Sequence, residues 1–224
     1  MIVLGIETAG PVAGVALLQA GQAPRVRTFE ARRTLGAELA PAIQALLEEA
    51  GAVEQGPDLI AVDVGPGSYT GLRIGIAAAK GLAFAWRRPV VGISATVALR
   101  TWAPKDVPVV CALDASRGEV YAQLFPTQGN APDPEVGAPD ELSEAYANAW
   151  VVGDAAELLV GHVPGARLLE PAIEWPTPLR IAELGAERYA QGGRDDSLAL
   201  IPTYFRSTTA KAHGRQRSMR SPKS

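Results

Sequence analysis

Residues 65–75, with the sequence GPGSYTGLRIG, limit the possible folds of this chain more than any other stretch. They join an apolar run at 59–64, which predicts a buried strand, to a helical pattern at 70–86. Glycine permits positive φ and close backbone approach, and Ser68 or Thr70 can cap the helix. The stretch predicts either a tight strand-to-helix turn or a loop whose bare helix N–H groups hold an anion. It is not a P-loop, because no Lys-Ser or Lys-Thr pair follows the second glycine at the required spacing.

The pattern around this turn predicts an α/β subdomain that begins with three meandering strands. The first helix has its apolar residues on one face, at Leu39, Ile43, Leu46 and Leu47. Pro41 must lie in the first turn of this helix or kink it. The predicted strands are 2–6, 13–18, 25–30, 59–64 and 89–93, and the predicted helices are 35–50, 70–86 and 94–102. This is the order of an actin-like (ribonuclease-H-like) subdomain, and many other α/β folds fit part of it.

After a connection at 103–106 the chain predicts a second subdomain, so that residues 1–103 form the first and 104–206 the second. Strands at 107–113 and 120–125 flank a turn at 114–118. Residues 126–139 are rich in Pro, Gly and Asp, which indicates a surface loop. The remaining predicted elements are short helices near 139–147 and 154–159 and a longer helix at 178–191.

Residues 207–224 predict a disordered basic tail. They contain five Lys and Arg side chains and no acid, and they lack the apolar residues needed to order a segment. The whole chain has a net charge of −3, so it is not an electrostatic nucleic-acid binder overall. Its one cysteine, Cys111, suits a reducing compartment, and it has no apolar run of about 20 residues that could span a membrane. We therefore expect a cytoplasmic protein.

Four stretches, in family order, resemble the TsaB family. They are LGIETA at 4–9, the glycine stretch at 65–75, DASRGEVY at 114–121 and PTYFR at 202–206. The glycine stretch is shared with the paralogous TsaD family. The first stretch departs from the usual pattern, because the TsaB family usually has Asp where this chain has Glu7.

The resemblance implies an actin-like fold of two related subdomains and a role in threonylcarbamoylation of the tRNA adenosine next to the anticodon. It implies a heterodimer with TsaD, work with the ATPase TsaE, and a possible homodimer. The complex would use ATP through the partners, with no cofactor bound by this chain, and tRNA would be contacted indirectly.

The sequence distinguishes between the two paralogues. TsaD-like proteins have a His-x-x-x-His pair after the strand that follows the glycine helix, and i, i+4 spacing puts both imidazoles on one face for a metal. The matching positions here are Ala95 and Leu99, and neither His162 nor His213 is near them in sequence. We therefore expect a non-catalytic dimerisation subunit with no catalytic or metal-binding residues of its own.

A remnant of the actin-like cleft is the second candidate site. Glu7 and Asp114 could face each other across it, as acidic residues that order Mg²⁺ around ATP do in actin-like ATPases. The alternative is that Glu7 caps a local turn and Asp114 fixes its own turn. The predicted cleft residues are Glu7, Thr8, Gly67, Ser68, Asp114 and Arg117.

Two other functions remain alternatives. A weak actin-like ATPase would bind Mg-ATP tightly as an isolated chain. An inactive peptidase-like homologue could contact tRNA directly through its basic tail, with salt-sensitive binding. A serine hydrolase would need Ser68 or Ser116 to meet His162, the histidine within the folded part.

The glycine-loop helix also predicts a partner interface. Its apolar residues cover an arc of about 220° at ~100° per residue, more than packing on one sheet requires. Small residues on one face would let a partner helix approach closely, unless the domain's own helices cover both sides. The predicted interface is Gly71, Ile74, Gly75, Ala78 and Leu82 with Leu39, Ile43 and Leu46 of the first helix.

Overall fold

The computed structural model describes residues 1–142 and 146–203, with the side chains of residues 32 and 33 left aside. The first half contains five strands and three helices, close to those predicted. They are β1 (Ile2–Glu7), β2 (Val12–Gln19), β3 (Arg25–Glu30), α1 (Ala31–Glu49), β4 (Leu59–Gly65), α2 (Tyr69–Trp86), β5 (Val90–Ser94) and α3 (Ala95–Arg100). The predicted tail at 207–224 and residues 204–206 of the closing motif lie outside the described residues.

The second half contains a second sheet of shorter strands. Its elements are β6 (Val109–Asp114), β7 (Val120–Phe125), β8 (Glu135–Gly137), α4 (Pro139–Leu142), β9 (Trp150–Val152), α5 (Ala156–Val160), β10 (Arg167–Leu168) and α6 (Pro178–Ala190). The surface loop predicted at 126–139 therefore includes a strand. β9 and β10 were missed, because strands of three and two residues are too short to show a period.

The two sheets share one topology. The first has the order β3-β2-β1-β4-β5 and the second β8-β7-β6-β9-β10. In both, the central strand pairs antiparallel with the next strand of a meander and parallel with a strand from beyond a crossover. The prediction of an actin-like fold with two related subdomains is confirmed.

Helices cover both faces of the first sheet. On one face α1 and α2 bury a core of Leu4, Ile6, Leu46, Ile60 and Ile76. On the other face α6 packs through Ile181 and Ala182 against β1, β4 and β5. α6 comes from residues predicted to belong to the second subdomain, yet it covers the first sheet. It can do so because the chain crosses back after β10 and Thr177 caps the helix through the N–H of Arg180.

Helix α1 begins four residues earlier than predicted, so Pro41 lies in its interior rather than in its first turn. Proline there removes the hydrogen bond to the carbonyl of Ala37. Both residues are exposed, so water can satisfy that carbonyl. None of the helices in the described part of the chain is both long and apolar enough to cross a membrane.

The close approach of α6 to the first sheet gives a testable prediction. A Cβ on Gly185 would overlap the Cβ of Ala61, whereas a Cβ on Gly36 in α1 would meet no atom within 4 Å. We expect Gly185→Ala to lower the free energy of unfolding by about 1–3 kcal/mol through overpacking. Gly36→Ala, the matched control, should raise it by about 0.5–1 kcal/mol through helix propensity. Urea unfolding measures both, and equal effects would contradict this packing.

Candidate functional site: an apolar groove and a cleft

An apolar groove of about 620 Å³ lies between α1 and α2. Five residues of the predicted interface line it, namely Leu39, Ile43, Ile74, Ala78 and Leu82. The rest of the lining is Gly36, Ala40, Gln44, Leu47, Val53, Gly81 and Trp86. Small residues on both helices, namely Gly36, Ala40, Ala78 and Gly81, leave the groove unfilled.

Phe84 is a second exposed apolar feature of α2, and it was absent from the predicted interface. Its side chain is 85% exposed, in the last turn of the helix. It lines a depression of its own with Ala83, Arg87 and Arg88, separate from the groove. A phenylalanine between Lys80 and Arg87, on the polar side of the helix, is the sequence signal that could have found it.

Three predicted interface residues lie elsewhere. A Cβ on Gly71 would overlap the carbonyl oxygen of Thr8, and a Cβ on Gly75 would overlap Thr8 Oγ1. Their small size therefore admits the chain's own β1–β2 turn, and not a partner helix as the sequence argument held. Leu46 is 1% exposed and belongs to the core beneath α1.

A cleft of about 600 Å³ separates the two sheets. Three of the predicted residues, Thr8, Ser68 and Asp114, line it together with Asp154 and Trp175. The other three predicted residues, Glu7, Gly67 and Arg117, are not among its lining. Glu7 is fully buried below the cleft, and Arg117 is exposed on the turn after β6.

Glu7 and Asp114 do not face each other across the cleft. Glu7 Oε1 accepts hydrogen bonds from the N–H groups of Ala9 (2.7 Å) and Gly10 (3.0 Å). Asp114 Oδ1 accepts from the N–H of Ser116 at 2.7 Å. The structure therefore has the local alternative, in which each carboxylate organises its own turn.

The partner of Glu7 is Asp63, which the sequence reasoning missed. β1 and β4 are parallel with Ile6 opposite Val62, so the next residues, Glu7 and Asp63, project side by side to one face. Asp63 Oδ1 accepts from the N–H of Gly65 at 2.8 Å, and both side chains are 0% exposed. A carboxylate inside an apolar strand needs a buried partner, and this signal was present in the sequence.

The two carboxyls cannot both be ionised. Glu7 Oε2 and Asp63 Oδ2 are buried, and no other described group donates a hydrogen bond to either. Burial raises the pKa of Asp63 to about 7. Burial first, and the charge of Asp63 second, raise the pKa of Glu7 well above its ordinary range. At neutral pH the pair therefore holds at least one proton.

Trp175 spans the cleft from one subdomain to the other. Its Nε1–H donates to Asp154 Oδ2 at 3.1 Å, and Asp154 Oδ1 accepts from the N–H of Asp114 at 2.8 Å. The other edge of the indole covers two turns of the first subdomain. A Cβ on Gly10 would lie 2.9 Å from Trp175 Cδ2, and one on Gly67 would lie 3.2 Å from Cη2.

The residues considered for catalysis are not brought together. His162 is exposed at the end of α5, with Nδ1 3.0 Å from the carbonyl oxygen of Leu158, and it does not line the cleft with Ser68 and Ser116. Ala95 and Leu99 are fully buried in the core around α3. Across residues 1–142 and 146–203, no three metal-ligating side chains cluster.

Comparisons with known proteins match this chain to a TsaD family model and to TsaB relatives. Residues 26–144 match the family model described as "TsaD: tRNA N6-adenosine threonylcarbamoyltransferase". The chain is 34% identical to the tRNA threonylcarbamoyladenosine biosynthesis protein TsaB of Escherichia coli, over 94% of this chain and 96% of the relative. It is 28% identical to the TsaB of Bacillus subtilis, over 95% and 97%.

A solved structure has the same fold over nearly the whole chain. It is an uncharacterized protein with similarity to peptidase YEAZ from Pseudomonas aeruginosa, with a TM-score of 0.78 and 27% identity. The match covers 92% of this chain and 99% of that chain.

The position of Trp175 gives a second prediction. We expect Trp175→Ala to lower the free energy of unfolding by about 2–4 kcal/mol, because the indole packs against both subdomains. Trp175→Phe keeps much of the packing and loses one hydrogen bond, so it should cost about 1 kcal/mol. Trp102→Ala, at a tryptophan that is 46% exposed, is the control. A loss in Trp102→Ala equal to that in Trp175→Ala, by urea unfolding, would contradict the bridging role.

Proposed function

This chain belongs to the TsaB family and has a role in tRNA threonylcarbamoyladenosine biosynthesis, and we propose that it acts there as a non-catalytic scaffold that pairs with TsaD. The groove between α1 and α2 is the observation that carries the proposal. It is lined almost wholly by apolar residues, and Phe84 stands exposed elsewhere on α2. An apolar surface of this kind on a folded domain marks an interaction site.

The geometry of the groove favours a helical partner. Two long helices flank it, and glycine and alanine on both sides allow a partner's side chains to enter between them. Aromatic residues commonly anchor protein interfaces, so Phe84 would supply an anchor that inserts into the partner. A second copy of this chain would present the same surface, and we propose that a homodimer and the TsaD heterodimer compete for it.

Two observations support a chain without catalysis of its own. Ala95 and Leu99 stand where TsaD-like proteins have their histidine pair, and neither side chain can ligate a metal. The cleft also fits a nucleotide poorly, because five N–H groups of its turns are bonded within the chain. These are the N–H groups of Ala9, Gly10, Gly65, Ser68 and Gly71.

The position of Trp175 supports the same view, because its indole already covers Gly10 and Gly67. We therefore propose that this chain binds no cofactor and that ATP enters the pathway through TsaE and TsaD in the cytoplasm. The weak-ATPase alternative requires Mg-ATP to displace these internal contacts. tRNA would be held by the assembled complex, and a direct contact through residues 207–224 stays a prediction outside the described residues.

Reconstitution tests the division of labour. We expect the purified chain to modify no tRNA and to hydrolyse neither ATP nor peptides, and we expect the complete set with TsaD and TsaE to lose tRNA modification when this chain is omitted. Calorimetric titration with Mg-ATP should show no binding to the isolated chain. Turnover by the chain alone, abolished by Ser68→Ala or Asp114→Asn, would refute the non-catalytic role.

A single substitution tests the partner surface. Ala78→Arg places a long charged side chain in the groove, and we expect it to weaken co-elution with TsaD by at least about tenfold, since desolvating a charge costs more than 1.4 kcal/mol. The matched control is Ala190→Arg, which changes an exposed residue in the last turn of α6. This helix lies on the opposite face of the sheet, so the variant should bind TsaD normally.

Circular dichroism of the Ala78→Arg variant distinguishes loss of TsaD binding through unfolding from loss of TsaD binding through a disrupted interface. A folded variant that no longer binds TsaD supports the groove as the interface. Normal binding of TsaD by this variant would place the interface elsewhere.

A further inference from the structure

Glu7 and Asp63 form a buried carboxyl pair that the proposed function does not use. Each carboxyl uses one oxygen to accept N–H groups of a turn at the edge of the cleft. Glu7 holds the β1–β2 turn through Ala9 and Gly10, and Asp63 holds the glycine loop through Gly65. The remaining oxygens, Glu7 Oε2 and Asp63 Oδ2, are buried and meet no other described donor, so a proton held by the pair removes the repulsion between the two carboxyls that hold these turns.

The same two turns set the position of α2. Thr8 packs beneath the start of the helix at Gly71 and Gly75, and its Oγ1 donates to the carbonyl of Gly71 at 2.9 Å. The N–H of Ser68, the residue that caps α2, donates to the carbonyl of Ala9 at 3.0 Å. A displacement of the β1–β2 turn would therefore displace the first turn of α2.

No other charged side chain compensates the pair. Among the described residues, the shift of each carboxyl has burial, local N–H groups and the other carboxyl as its causes. β1, β2, β4 and β5 supply no further charged side chain near it. The described charged groups on the helices packed around these strands are Glu38, Glu48 and Glu49 of α1, Arg73 and Lys80 of α2, Arg100 of α3, and Arg180, Glu183, Glu187 and Arg188 of α6. None of them contributes to either shift.

We propose that Glu7 and Asp63 form a proton-held clamp on the β1–β2 turn and the glycine loop, and that rising pH opens this clamp and loosens the start of α2. In the open state both carboxyls reach water and ionise, and the proton passes to solvent. The clamp thus ties the position of the helix that lines the groove to the ambient pH. Its effect on TsaD binding rests on the proposed function, whereas the clamp itself does not.

The direction of the pH dependence follows from the shifts. Both folded-state pKa values are raised, so the clamped form keeps a proton that the open form has lost. The clamp is most stable below the ordinary carboxyl pKa of 3.8, where both forms are protonated. Each pH unit above that value favours the open form about tenfold per proton, up to the folded-state pKa of Asp63 at about 7.

Asp63→Asn replaces the shared proton with a permanent N–H. The side-chain oxygen of the new amide can still accept from Gly65, and its NH₂ group can donate to Glu7 Oε2. We expect hydrogen exchange at the amides of residues 9, 10 and 65, divided by that of this variant at each pH, to rise in the native chain by at least about tenfold per unit between pH 5 and 7, because opening releases at least one proton. Taking the ratio at each pH cancels the intrinsic effect of pH on exchange.

Infrared spectroscopy at pH 7 reads the proton directly. The native chain should show the carbonyl band of a protonated carboxyl, and the double variant Glu7→Gln with Asp63→Asn should lack it. Glu7→Gln makes the same replacement from the other strand and serves if Asp63→Asn does not fold. Asp106→Asn, at an exposed carboxylate on the connection between the subdomains, is the matched control and should behave as the native chain does. A flat exchange ratio, or a native chain without the band, would overturn the clamp.

Binding to TsaD at pH 6 and pH 8 tests the link to the groove. We expect the affinity of the native chain to fall at pH 8 relative to that of Asp63→Asn. A pH-dependent exchange ratio with no TsaD binding at either pH would refute the proposed partner and leave the clamp standing. Equal affinities at both pH values, alongside a rising exchange ratio, would overturn the link between the clamp and the groove.

Discussion

The contact between Thr8 and the first turn of α2 is the constraint on which the rest of this structure depends. It requires glycine at positions 71 and 75, because a Cβ at either would overlap Thr8. With the helix seated there, Ile76, Ala79 and Ala83 reach the sheet and Ile74, Ala78 and Leu82 face the groove. Gly71 and Gly75 widen the apolar arc of α2, but they make contacts within the domain. The surface that α2 offers to a partner therefore consists of its other small and apolar residues.

In the cleft between the subdomains, the turns and side chains that a ligand would approach already contact other groups of this chain. Carboxylates occupy the N–H groups of the turns, an indole covers the glycines, and Asp154 is engaged by Trp175. A tight internal arrangement of this kind suits a subunit whose task is to present a surface. It supports the proposal that the glycine-rich turn before α2 serves the fold and not a nucleotide.

The sequence predicted the first sheet and its helices well, because its strands are five to eight residues long and its helices show a clear apolar period. The second sheet was harder to predict, because β8, β9 and β10 are stabilised by pairing with neighbouring strands and show no alternating apolar pattern of their own. The groove residues Leu39, Ile43, Ile74, Ala78 and Leu82 were predicted correctly as neighbours, because two amphipathic helices on one sheet must meet. The apolar strand around Asp63 signalled a buried partner without identifying it, and Trp175 could not be placed from sequence, because each acts across a contact between distant segments.

The return of α6 to the first sheet has a consequence for how the chain is made. Val3, Leu59, Ala61 and Val91 share their cluster with Ala98 of α3, and Ile181 and Ala182 of α6 complete its cover. During synthesis, residues 1–103 therefore emerge with much of one face of their sheet uncovered, and they must wait for most of the second half to be translated. The first half cannot mature ahead of the second, so a ribosome that stalls between them releases a product with an exposed apolar sheet, which is a substrate for chaperones and proteases.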